Sequence, residues 1–180
     1  TGDRATAIPA LDPRLAARVR VGPRVTWVAT LGLMHQPPSF AAPVPGAELG
    51  DLSNGLQSAV QASQGFEAKL PWDLELKGTF FLQSYFDTTN AFASCSAFFD
   101  GGNPDVACLD QRVNGRAYGL EVMLKRSFAK RVAGWISYTL SRSTVEVPHP
   151  AAGEPTEVAS NFDRTHVLNA ALAFDFGKGY

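Results

Sequence analysis

The sequence predicts an all-β protein: an antiparallel up-and-down sheet of about seven long strands, forming a segment of a transmembrane β-barrel. Three observations predict it. Apolar and polar residues alternate with period two in seven stretches. Most of these stretches run to eleven to sixteen residues, where an ordinary soluble strand has about five or six and a membrane-crossing strand needs about 9–11. The connections alternate short and long, as in barrels with tight turns at one end and long loops at the other.

The elements follow in order. Residues 15–21 alternate Leu15, Ala17, Val19 and Val21 with Arg18 and Arg20. Residues 24–36 place Val25, Trp27, Ala29, Leu31 and Leu33 on one face and Thr26, Thr30 and Gly32 on the other. Residues 56–70 set Leu56, Val60, Ala62, Phe66, Ala68 and Leu70 against Gln57, Gln61, Ser63, Glu67 and Lys69. In 73–88, Leu74, Leu76, Phe80, Leu82 and Phe86 oppose Asp73, Glu75, Lys77, Thr79, Gln83 and Asp87. Residues 115–125 give Tyr118, Leu120, Val122 and Leu124 against Glu121 and Lys125. Residues 131–146 give Val132, Ile136, Tyr138 and Leu140 against Arg131, Ser137, Thr139 and Ser141, with Trp135 out of pattern. Residues 163–176 give Leu168, Ala170, Leu172, Phe174 and Phe176 against Asn169 and Asp175.

Gly22-Pro23, Pro71-Trp72 and residues 126–130 make the short connections, and 37–55, 89–114 and 147–162 the long ones. The twelve prolines cluster between these stretches, away from positions where a missing ladder donor would matter. Four of them, with Gln36, interrupt the uncharged run 25–47 and remove it as a spanning helix. Thr1–Arg20 carries four arginines and no apolar run of the kind a secretory leader has.

Composition excludes several classes. The 180 residues are 45% hydrophobic and 18% charged, with net charge −1. That balance does not suit a nucleic-acid binder driven by phosphate contacts, nor a disordered chain. Two cysteines are too few for a disulfide scaffold or a four-ligand zinc site. Charges gather on the polar face, and within the strands the apolar face is expected to carry only Arg116 and Arg142, near the long connections. Trp27 and Trp72 near the short turns, with Tyr118 and Tyr138 toward the other end, are arranged like two aromatic girdles. A soluble β-barrel or sandwich that binds a ligand would show the same alternation with inside and outside exchanged; strand length and loop sorting favour the membrane.

The stretches GRAYGLEVMLKR (115–126), GWISYTLSR (134–142) and NFDRTHVLN (161–169) resemble the C-terminal barrel half of TonB-dependent outer-membrane receptors. The specific words lie in roughly 114–180, and 14–90 match in style. The resemblance implies that residues 1–180 are part of a 22-stranded barrel domain, a fragment without the plug domain. It implies residence in the outer membrane of a Gram-negative bacterium. Its partners would be outer-membrane lipid, the TonB complex acting through the absent plug, and a scarce small-molecule ligand such as a chelated metal, a cobalamin-like molecule or a glycan. It implies no nucleic acid, no cofactor, no metal in the protein and no enzymatic chemistry.

Candidate sites are few. Cys95 and Cys108 share the connection 89–114 and could close a disulfide worth about 3 kcal/mol in an oxidising exterior; two free thiols are the alternative. Phe92, Phe98, Phe99 and Asp100 in the same connection could hold a ligand or pack the loop on the rim. His35, His149 and His166 are scattered, as strand-end residues would be. Asp163 with His166 would serve an outer-membrane hydrolase, but no serine nucleophile motif accompanies them.

Overall fold

Eight strands pair into one antiparallel sheet. The computed structural model describes residues 7–37, 55–89, 112–127, 131–147, 153, 155–161 and 163–177. The strands are β1 (Arg14–Arg20), β2 (Val25–Gln36), β3 (Gln57–Leu70), β4 (Leu74–Thr89), β5 (Arg112–Arg126), β6 (Val132–Glu146), β7 (Glu157–Ala159) and β8 (His166–Phe174). Each pairs with the next in sequence up to β6, which carries both β7 and β8 on its far edge. The sheet is open: β1 and the β7–β8 edge do not meet. No described helix is long and apolar enough to cross a membrane.

The turns explain the register. Between β1 and β2, the N–H groups of Val21 and Gly22 both donate to the Val25 carbonyl, at 3.1 and 3.2 Å. Between β3 and β4, Leu70 lies opposite Leu74, and Trp72 and Asp73 take the left-handed conformation at φ 62° and 59°. Such values fit the right-handed twist of a tight hairpin, at a steric cost of about 1–2 kcal/mol for a side-chain-bearing residue. At the far end of β4 the register shifts between Tyr85 and Thr88. Asp87 makes the bulge at φ 54°, and Arg112 Nη1 stabilises it by donating to the Asp87 carbonyl at 2.7 Å.

The predicted strand at 163–176 is shortened to β8, and an additional short strand precedes it. β7 lies within the predicted connection 147–162, and β8 begins only at His166. The reason is a side chain standing in for backbone. Asp163 Oδ1 accepts the Ser143 N–H at 2.7 Å, and Ser141 N–H then finds the Thr165 carbonyl at 3.0 Å. The β6 donors between the two short strands are therefore satisfied without a continuous partner strand.

Register partners share a face, so the pairing fixes the two surfaces. One row reads Leu15, Leu31, Ala62, Leu82, Tyr118 and Arg142. The next polar row reads Thr30, Ser63, Phe81, Gly119 and Ser141. Among the described residues nothing covers the apolar face. Among the described residues the buried hydrophobics are Ala59, Val113 and Ala133, and no large side chain is fully buried. Trp135 projects from the polar face opposite Lys125 and Ala171. Besides Arg116 and Arg142, the apolar face also carries Arg112, Arg126, Glu146 and Glu157 at strand ends, a correction to the reading of two charges alone.

The upper limit of the apolar face slants. Moving toward the long connections, the residues that end it are His35 on β2, Arg116 on β5, Arg142 on β6 and His166 on β8; Gln64 is a neutral exception within it. The row through His166 passes Leu140, Leu120, Phe80 and Gln64 to reach Ala29, six positions short of His35. Six residues over five strand steps, at about 3.4 Å per residue and about 4.8 Å per strand, is a slope of about 40°.

Candidate functional site

The polar face divides into two halves. Near the short connections it is ionic. Arg18 of β1 reaches Glu67 of β3, which lies two strands away. Lys77 Nζ sits 3.2 Å from Glu67 Oε1 and 3.4 Å from Glu75 Oε1. Register makes this possible, since Thr26, Glu67, Lys77 and Met123 form one row. The charges alternate in sign across neighbouring strands, so each carboxylate has a cation within reach. Such solvent-facing pairs contribute about 0–1 kcal/mol each.

Toward the long connections the same face is mainly neutral. Thr30 and Ser63 share a hydrogen bond at 2.7 Å. Gln36 Nε2 donates to Gln57 Oε1 at 2.9 Å. The Tyr85 hydroxyl donates to Gln83 Oε1. A cleft of about 230 Å³ opens here, lined by Asp12, Arg14, Met34, Gln36, Gln57 and Tyr85 among others. His35 closes one side: its N–H donates to Asp12 Oδ1 at 3.0 Å, and its Nδ1 lies 2.8 Å from the same oxygen. Beyond β4 the face is low, because Ala117, Gly119, Ser141 and Ser143 occupy β5 and β6. Gly119 is required: a Cβ there would meet the Leu140 carbonyl at 2.5 Å and the Phe81 ring at 2.8 Å.

Chemically, this half offers amide and hydroxyl donors and acceptors with a single cation, Arg14, along the strands. It suits reversible contact with a polar ligand. Asp163 and His166 belong to separate sets of bonds. Asp163 Oδ2 accepts from Arg142 Nη1 at 3.0 Å, whereas His166 Nδ1 lies 2.7 Å from the Tyr138 hydroxyl with the rings stacked. Among the described residues no group of three His, Cys, Asp or Glu could hold a metal ion.

The loop candidates Phe92, Cys95, Phe98, Phe99, Asp100 and Cys108 lie outside the described residues, as does His149. The amide cleft was not singled out from sequence. The signal for it was there in Gln57, Gln61 and Gln83, glutamines on the polar faces of neighbouring strands. Their meeting with Gln36, Tyr85 and Arg14 required the register.

The fold and this surface define a class: an open antiparallel up-and-down sheet with one uncovered apolar face and one polar face split into ionic and amide halves. No protein-family model matches the chain, and no curated protein or solved structure matches it either.

Proposed function

We propose that the chain is a wall section of a TonB-dependent outer-membrane receptor, with its apolar face against lipid and its polar face toward a passage for a scarce ligand. The slanted limit of the apolar face carries this reading. A flat hydrocarbon slab crossing tilted strands leaves an apolar band oblique to the hydrogen-bonded rows, and membrane barrels tilt by about 35–45°. The slope of about 40° obtained from strand spacing and rise falls in that range. A soluble module that buried the same side chains would need a covering layer, and the described residues supply none.

In this reading the long connections select the ligand, and the amide half of the wall passes it along by exchanging hydrogen bonds. The plug, driven by the TonB complex, opens the way. Ligand classes are those the resemblance implies: a chelated metal, a cobalamin-like molecule or a glycan. No bond in the ligand is broken.

The test uses the full-length protein with Trp27 as its sole tryptophan, reconstituted into vesicles of brominated phosphatidylcholine. Trp27 lies on the apolar face, partly exposed. Bromine should quench most of its emission. A protein that stays soluble and monomeric without detergent, its Trp27 untouched by brominated lipid, would defeat the reading.

A further inference from the structure

At the short-connection end of β5, β6 and β8 the apolar face is hollow. Gly134 makes the floor, since it has no side chain, and a Cβ there would meet the Ala171 carbonyl at 2.6 Å. Leu124, Val132, Ile136 and Leu172 border it, making an open groove of about 500 Å³. The lining is hydrocarbon except at one end, where Arg126 stands directly opposite Gly134.

Arg126 differs from the other arginines on this face: Arg112, at the far end of β5, also has an unpartnered buried Nε, but its Nη1 and Nη2 donate to the Asp87 and Gly55 carbonyls. Arg116 has Glu157 at 2.7 Å, and Arg142 has Asp163 at 3.0 Å. Among the described residues Arg126 has no acid, and its Nε is shut away from water without a hydrogen-bond partner. Its sequence neighbourhood is basic: Lys125, Arg126, Lys130 and Arg131 fall within seven residues that contain no acid. Glu75 is opposite Lys125 on the polar face, and Asp175 accepts the Gly177 N–H, so neither answers Arg126.

We infer that this hollow binds an anionic phospholipid, one acyl chain lying over Gly134 and the phosphate meeting the Arg126 guanidinium. The inference rests on the membrane reading and adds a specific site to it. Each half of the ligand answers one half of the site. An alkyl chain fills a groove that water would occupy unfavourably, and a phosphate supplies the acceptors that a buried guanidinium nitrogen lacks. Basic residues at the edge of an apolar band attract anionic headgroups in the same way.

The experiment uses the full-length receptor in maltoside detergent, stripped of lipid and titrated with phosphatidylglycerol while native mass spectrometry counts bound lipids. Arg126→Gln removes the charge at similar size. Ala170→Trp fills the groove from the exposed position opposite Ile136. Both variants are first shown to keep the heat-sensitive gel mobility of a folded barrel. The expected result is one tightly held phosphatidylglycerol on the parent protein, weakened about tenfold in each variant, with phosphatidylcholine bound less well and inorganic phosphate failing to compete. Equal lipid retention in parent and variants would overturn the site. Full competition by inorganic phosphate would also overturn it, leaving an ion site without a lipid. Either failure in a protein that still inserts into vesicles spares the membrane reading; failure to insert at all strikes that reading instead.

Discussion

The two faces of the sheet handle charge in opposite ways. On the polar face, Arg18, Glu67, Lys77 and Glu75 form a network within the strands, open to solvent. On the apolar face, charges stand only at or beyond the limits of the apolar band, and the two arginines at its upper limit are each paired, Arg116 with Glu157 and Arg142 with Asp163. Under the proposed membrane reading, the difference follows from what each surface meets. Water tolerates a charge anywhere, whereas hydrocarbon tolerates one only at the border, where it can be paired or reach the headgroups.

The sharpest way to break this comparison uses adjacent residues. Leu120 lies in the middle of the apolar face and Glu121 on the polar face. Leu120→Arg should cost about 2–4 kcal/mol of folding free energy in vesicles, and Glu121→Arg less than about 0.5 kcal/mol. Urea titration followed by the folded-barrel gel band measures both; equal costs would mean that the two faces meet the same medium.

The next effect probes the border. Asp163, only 9% exposed at its side chain, holds both the Ser143 N–H and Arg142. Asp163→Ala should destabilise by about 1–3 kcal/mol, because a buried donor loses its acceptor. The loss should appear as faster amide exchange at Ser143 and earlier proteolysis within 160–165.

A smaller change is expected inside the polar network. Glu67→Gln removes the acid shared by Arg18 and Lys77 and should cost about 1 kcal/mol or less. Repeating the urea titration in 1 M salt should shrink the difference between parent and variant, since screening weakens exposed pairs. The smallest effect concerns the β3–β4 turn. Asp73→Gly relieves a left-handed residue at φ 59° and should raise stability by up to about 1 kcal/mol in the same assay.

Strand existence, face membership and the short turns were legible in the sequence because each is a local property. Val25, Trp27, Ala29, Leu31 and Leu33 share a side whatever lies beside them, since successive side chains of a strand alternate. Register is a relation between segments, and only the tertiary structure decided it. It brought Arg18 to Glu67, 49 residues apart, gathered Gln36, Gln57 and Tyr85 around one cleft, and set the slope of the apolar border. It also shortened the last predicted strand and added β7, because no period in residues 163–176 records that Asp163 supplies the acceptor for a backbone donor of β6. The sequence determined which side of each strand is greasy; pairing alone determined which side chains meet across it.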